Sequence, residues 1–438
     1  MDLVISFTVF IGAMICCLIN GFSMVIALFA GLAAFTMVGV RKGYKLKEIG
    51  KMGAGGLKDA LLVVEIMFVI GFITAIWRAS GTITFFVYYG IRFITPGLFL
   101  IITFLLSCLL SYALGTSFGV AGTVGVIFIA LARSGNVNEV ITAGVVMSGI
   151  YFGDRGSPVS SSAVLVANIT KTDLLGNVKM MAKTAALPIA AAIAIYSALS
   201  IANPIENVDQ NILHALTTEF NISPWCLVPA ICMVLLPLIK VPVLYAMLAS
   251  VVSGGLVSVF VEGMPAADLI KCMFTGYNST GSLARIINGG GLVSMIEVVF
   301  IVGISSTYSG IFEGTKMLSS LESVIEKIMS KTGRFGCTII VSFVTLAIFC
   351  NQTIASMMSC DILKRPYDTD GASREELAMD LENSVILLAG VVPWAIACSV
   401  PLSFMQVGYS AIFYSFLLYL VPIGYAIQKK IVSPFRNK

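Results

Sequence analysis

The residues of this chain best suited to chemistry lie in one run, Tyr151-Phe152-Gly153-Asp154-Arg155-Gly156-Ser157-Pro158-Val159-Ser160-Ser161-Ser162-Ala163. An acid, a base, four serine hydroxyls and a helix breaker sit there between two apolar segments, Val140 to Ile150 and Val164 to Ile169. Pro158 removes a backbone donor and disfavours helix at the residue before it. Together with Gly153 and Gly156 it interrupts a single membrane-length segment at mid-depth. Irregular backbone at that depth is tolerated only where it is buried in protein or lines a wet cavity, and broken helices of this kind aim their dipoles at ions and solutes. Gly153 to Ser162 therefore reads as a binding site. The competing reading is a loop between two short hydrophobic segments, closed by a salt bridge between Asp154 and Arg155.

Composition fixes the setting of that run. The 438 residues are 58% hydrophobic and 11% charged, with a mean hydropathy of +0.97, against roughly 45–50% apolar and about 25% charged for soluble domains. The expected fold class is an all-α polytopic membrane protein in contact with lipid. Leu3 to Ile19 lacks a basic leader and a small-residue cleavage site, so it reads as a retained span. The net charge of +4 comes mostly from short loops and does not suggest nucleic acid as a partner. Most of the ten cysteines lie in apolar runs without CxxC pairs, and the single histidine, His214, stands in a polar loop. They read as packing residues rather than an imidazole or thiolate metal centre. No G-x-x-x-x-G-K-[ST] run is present, so no nucleotide cofactor is expected and the coupling agent is Na+ or H+. Gly115 to Gly119 fits G-x-S-x-G, but its flanks are apolar helix formers and His214 is placed on the far side, so the chain is not read as an enzyme.

The elements that must position these residues follow from charge and hydropathy. Leu3 to Ile19 and Phe22 to Val40 form two spans ending in the basic run Arg41 to Lys47, cytoplasmic by the positive-inside rule, which also puts the amino terminus inside. A polar, interfacial helix up to Asp59 leads into Leu61 to Trp77, which carries Glu65 in an apolar run. Residues 81 to 97 are expected along the outer interface. Leu98 to Ala132 then forms two spans or a hairpin whose tip, Gly115-Thr116-Ser117-Phe118-Gly119 with Gly122-Thr123, would turn hydroxyl and carbonyl oxygens towards a small ion. Small-residue helix packing uses the same residue types and is the alternative there. The broken segment runs in to Lys171, Lys179 and Lys183, and Thr184 to Ile201 returns outward. The loop Asn203 to Pro224 holds Glu206, Asp209 and Glu219 but no Lys or Arg, and is read as external.

The second half mirrors the first. Trp225 to Ile239 and Val241 to Phe260 flank Lys240, and Glu297-Val298-Val299-Phe300-Ile301-Val302-Gly303 repeats the Glu, Phe and Gly spacing of Glu65-Ile66-Met67-Phe68-Val69-Ile70-Gly71. The two copies run in opposite directions by their flanking charges, as in an inverted-topology repeat. The expected division is 1–202 as the first inverted repeat, 203–224 as an external linker and 225–438 as the second. Cys337 to Leu363 is the second hairpin, with Asn351-Gln352-Thr353 at its tip. Glu382-Asn383-Ser384 is expected to open an apolar segment broken at Gly390 and Pro393-Trp394. Lys429, Lys430, Arg436 and Lys438 hold the carboxyl terminus inside, and ten spans with two hairpins are expected, or up to fourteen spans if both hairpins cross.

Gly115 to Gly125, Tyr151 to Pro158, and Leu381-Glu382-Asn383-Ser384 with Pro393-Trp394 resemble the three signature regions of the NhaC-type sodium/proton antiporters, members of the ion transporter superfamily. The resemblance covers nearly the whole chain. It implies a bacterial or archaeal cytoplasmic membrane and a homodimer in which a scaffold holds a mobile, elevator-like transport domain with two hairpins. The family also includes exchangers of small carboxylates, with amino-acid carriers among its relatives. Two departures stand out: family members continue the Ser-Pro motif into Asp-Thr-Thr and write the later motif Glu-Asp-Ser, where this chain has Ser160-Ser161-Ser162 and Glu382-Asn383-Ser384. Fewer acids weaken pure sodium/proton exchange and leave room for an organic solute.

The functional expectation is a cation-coupled secondary transporter exchanging Na+ and/or H+, with possible coupled movement of a small organic solute. The alternatives are a Na+- or H+-coupled amino-acid or carboxylate carrier without net exchange and, further off, a channel. The candidate binding residues are Thr116, Ser117, Thr123, Asp154, Arg155, Ser157, Asn351, Gln352, Thr353, Glu382, Asn383 and Ser384, with Asp154, Ser117 and Ser157 as sodium ligands. Glu65 and Glu297, expected to be buried, are the candidates for coupling.

Overall fold

The computed structural model describes residues 2–20, 22–93, 95–205, 210–239, 241–279, 283–315 and 322–432. Glu206, Asp209, Lys240, Arg436 and Lys438, used above to orient the chain, lie outside these residues. Apart from one isolated antiparallel bridge between Tyr277 and Gly289, the described residues form helices joined by turns. Among the described residues, five helices are long and apolar enough to cross a membrane: Met24–Arg41, Ser117–Ser134, Leu174–Ala202, Leu292–Thr315 and Lys327–Phe349. A sixth span results if Val64–Ala79 and Thr82–Gly90, bent by 61°, count as one. The chain is thus a helical membrane protein. Fewer helices qualify than the ten spans expected from charge because several apolar segments, such as Phe99–Leu114 and Ile396–Met405, are cut short by turns.

One expectation for the first half is corrected. The polar stretch before Asp59 is not a separate interfacial helix: it is continuous with the following span in one helix, Leu46–Ala79. At the start of the next helix, Thr82–Phe93, Thr82 and Thr84 are buried, and the Thr82 hydroxyl donates to the Cys226 carbonyl at 2.8 Å, which anchors the bend.

The elements around the chemistry-bearing run pack closely. Phe99–Leu114 lies along Glu139–Gly156, with Gly149 against Ser107 and Gly153 against Ser111. A Cβ on Gly149 would come 3.0 Å from the Phe104 carbonyl oxygen, and one on Gly153 would overlap the Ser111–Tyr112 backbone. This is the small-residue contact that lets two helices approach to backbone distance inside a membrane. After Leu114 the chain turns through Gly115 at φ +63°, where a side chain would also run into the Val159–Ser160 peptide. The turn therefore rests directly on the break that follows Gly156.

The same local geometries recur later in the chain. Cys350, at φ +54°, lies 235 positions after Gly115; Gly371 lies 235 after Asn136, and Gln406 lies 235 after Lys171, all in left-handed turns. The helices between these turns match as well: Ser117–Ser134 and Gln352–Thr369 each span 18 residues, and Ser161–Thr170 and Ile396–Met405 each span 10. Ser342 and Ser384, whose hydroxyls meet at 3.0 Å, stand where Ser107 meets Gly149. Glu382-Asn383-Ser384 is a break between a polar helix and the apolar segment that it opens, and that segment is interrupted again around Gly390 and Pro393-Trp394. Arg374–Glu382 ends there, a short turn of helix follows at Val385–Leu388, and the chain resumes as Ile396–Met405.

Candidate functional site

The two tips and the two breaks meet in the interior. At the second tip, Asn351 caps the following helix, its Oδ1 accepting from the amides of Thr353 at 2.9 Å and Ile354 at 3.3 Å. That cap orients its neighbour. Gln352 Nε2 donates to Asp154 Oδ2 at 3.1 Å and to the Ile386 carbonyl at 3.1 Å, tying the second tip to both breaks. Asp154 is buried, and its own peptide carbonyl accepts from the hydroxyls of Ser160 and of Ser162, the latter at 2.6 Å. These serines satisfy a carbonyl that the broken helix would otherwise leave orphaned.

Arg155 turns away from Asp154. Its Nη2 donates to Asn383 Oδ1 at 2.7 Å, to Thr184 Oγ1 at 2.9 Å and to the Met181 carbonyl at 3.3 Å. Asn383 is itself fixed by donating to the Met379 carbonyl at 2.8 Å. Among the described residues no ion pair joins Arg155 to Asp154 or to Glu382, so the closed salt bridge of the competing reading is not formed. Glu382 is completely buried and neither carboxylate oxygen has a hydrogen-bond partner, although Arg155 and Asp154 both lie within its electrostatic reach. A buried carboxylate left this way is costly, because its lost hydration is not replaced.

The structure thus brings together Asp154, Arg155, Gln352, Glu382 and Asn383. The other candidates stand around them. Ser117 is buried at the first tip, next to Thr116, whose hydroxyl caps Gly119 at 3.3 Å. Ser157 donates its hydroxyl proton to the Tyr112 carbonyl at 2.6 Å, Thr123 to the Gly119 carbonyl at 2.6 Å, and Ser384 to the Asp380 carbonyl at 2.6 Å. Thr353 is exposed. Glu65 and Glu297 are also exposed rather than buried, and Glu297 accepts a 2.6 Å hydrogen bond from Ser23. Alternating apolar neighbours made both glutamates look enclosed, yet each sits on an outward stripe of its helix.

Sequence reasoning passed over Thr184, which reads as the first residue of an ordinary span, and the pair formed by Asp380 and Lys429. Asp380 is buried, and Lys429 Nζ lies 2.6 Å from its carboxylate and 3.0 Å from Glu376. The Tyr367 hydroxyl also donates to Asp380 at 2.6 Å. The signal was available in the spacing of Glu376 and Asp380 four apart on one helix face, opposite a basic terminal helix.

Interrupted apolar segments that cross over a buried polar cluster define the class: a secondary transporter of the helical membrane type. The sequence profile of the Na+/H+ antiporter family matches residues 2–164 and 149–428, and the chain belongs to that family. It is similar to a malate-2H+/Na+-lactate antiporter of Bacillus subtilis (strain 168), with 28% identity over 401 residues, covering 90% of this chain and 84% of that protein. The Na+/H+ antiporter NhaC of the same organism is also 28% identical, covering 91% and 90%. An arginine/ornithine antiporter, ArcD, of Halobacterium salinarum is 27% identical, covering 82% and 77%. The chain is therefore a cation-coupled antiporter by family.

Proposed function

We propose that this antiporter exchanges sodium for protons at the crossing of Asp154, Gln352 and Glu382. The observation that carries this reading is the pair of buried carboxylates, Asp154 held by Gln352 with the Ser160 and Ser162 hydroxyls beside it, and Glu382 with no hydrogen-bond partner. Both gain most from a small cation, since a proton or a sodium ion with its backbone and hydroxyl ligands replaces the water each acid lost. Ser117, Ser157, Thr116 and the carbonyls at the breaks are the neutral oxygens within the same region, and sodium prefers hard oxygen donors.

Around this site we read residues 1–202 and 225–438 as two inverted repeats joined by an external linker. The recurrence of left-handed turns at a constant spacing supports that reading, as do the matched helix lengths. With it go cytoplasmic termini, a scaffold that carries Glu65 and Glu297 on its outer face, and a transport domain of tips and breaks that moves against it in a homodimer. A second reading adds an organic solute. Relatives named for malate, lactate, arginine and ornithine exchange are about as similar to the chain as NhaC is, and the chain lacks two acids of the ion-only pattern. Arg155 is a poor candidate for a solute carboxylate, because Asn383 and Thr184 already occupy it.

Proteoliposomes loaded with a pH dye test the proposal. An outward sodium gradient should acidify the lumen without any added organic solute. Acidification only in the presence of a carboxylate or amino acid would favour the second reading. Accumulation against a gradient distinguishes either from a channel.

A further inference from the structure

We propose that Arg155 is a tethered counter-charge that sets the capacity of the crossing at one monovalent cation; this rests on the exchange reading above and deepens it. Three ionisable side chains are buried at the crossing, with residual exposures of 5% for Asp154, 3% for Arg155 and 0% for Glu382. Arginine keeps its charge in any protein setting. The guanidinium is fixed on one side by Asn383, at the second break, and on the other by Thr184 and the Met181 carbonyl. It therefore cannot leave with the cargo, and it forms no ion pair with either acid.

With both acids ionised, the crossing holds two negative charges and one fixed positive charge. One monovalent cation brings the sum to zero. A second one, or a divalent cation, would put a net positive charge into a buried site, where an uncompensated charge is strongly disfavoured. The nearest other buried acid on the same helix, Asp380, is already matched by Lys429 at 2.6 Å and does not enter the sum. The Tyr151 hydroxyl, beside Asp154 in the same segment, donates to the Ala397 carbonyl at 2.7 Å and stays neutral. The sodium-loaded crossing is thus electrically neutral, whereas without Arg155 it would carry one negative charge.

Labelled-sodium counterflow in proteoliposomes of the full chain reads the charge of the loaded carrier, because only loaded carriers then cross. With the potential clamped by potassium and valinomycin, wild-type counterflow should change by less than about twofold over ~100 mV. An uncompensated charge crossing the same field changes it by roughly tenfold. Arg155→Gln should become voltage-sensitive to about that extent, and Arg155→Lys, which keeps the charge, should stay flat. Sodium should also saturate wild type without cooperativity. Wild-type counterflow that follows the potential overturns the proposal, as does an Arg155→Gln protein whose counterflow stays as flat as wild type. If Arg155→Gln fails to fold, the wild-type measurement alone decides. Absence of any sodium counterflow in wild type would instead defeat the exchange reading, and this inference with it.

Discussion

The Asp154 side chain accepts a hydrogen bond from Gln352, and its peptide carbonyl accepts from Ser160 and Ser162. Asp154→Asn can keep the Gln352 contact through its amide oxygen, so the protein should still insert and fold, with a stability change within about 1 kcal/mol. Sodium-dependent thermal stabilisation should disappear, and full stabilisation in the variant would remove Asp154 from the ligands. A second residue-scale prediction concerns Glu262, at the edge of a cleft of about 580 Å³ lined by Tyr88, Tyr89 and Glu219. Burial raises its carboxyl above the usual range, against the opposing effect of the Asn221 amide and the Cys226 thiol. A carboxyl raised in this way binds its proton more tightly folded than unfolded. Its contribution to stability is complete in acid, below the unfolded value of about 4.3, and is lost as pH rises through the folded value. Glu262→Gln should remove that part of the pH dependence of Tm, and an unchanged profile would show that the group does not titrate in this window. At this scale the sequence was most legible where types were unusual for their setting, as with Asp154 and Arg155 in an apolar run. It was least legible where a hydroxyl has two possible uses: nothing in the letters says that Thr123 and Ser157 donate to backbone carbonyls.

The helix Arg374–Glu382 is held by charges from two other elements. Arg334 contacts Asp370 at 2.5 Å and Glu376 at 3.0 Å, while Lys429 of the terminal helix bridges Glu376 and Asp380 and lies 5.3 Å from the Tyr425 ring. Lys429→Met would leave Asp380 buried without its cation, and such a loss costs about 3 kcal/mol or more. Adding Asp380→Asn should recover most of it, because the uncompensated charge goes with the acid. Additive effects in chemical or thermal unfolding of the double variant would mean that the two groups are not coupled. Element boundaries were readable where a breaker is decisive, as at Gly156-Ser157-Pro158. They were misread where polar residues continue a helix, as before Asp59, because glycines lower propensity without stopping a helix that tertiary contacts support.

For the whole molecule, orientation is the prediction that the charge pattern makes and the family does not. Cysteines placed at Lys45 and Asp370, both exposed, should label only from the cytoplasmic side, and one at His214, also exposed, only from outside. Labelling of positions 45 and 214 from one face would rule out the inverted arrangement. The Glu65 and Glu297 motifs suggest a likeness between the halves, but the closer correspondence lies in the turns at Gly115 and Cys350, where the residues differ and only the backbone agrees. Sequence comparison by eye cannot see a shared φ. The contacts of Arg155 and Asp154 also have a consequence for how the chain is made. Arg155 meets Asn383, 228 positions later, and Asp154 meets Gln352, 198 positions later. At the usual pace of synthesis, about 5–20 residues per second, each waits on the order of ten to forty seconds after leaving the ribosome before its partner exists. For that interval Asp154 lacks Gln352, and Arg155, which can already meet Thr184 and the Met181 carbonyl, lacks Asn383. The nascent first half must therefore keep water, lipid head groups or the insertion machinery around position 154 until the second half arrives.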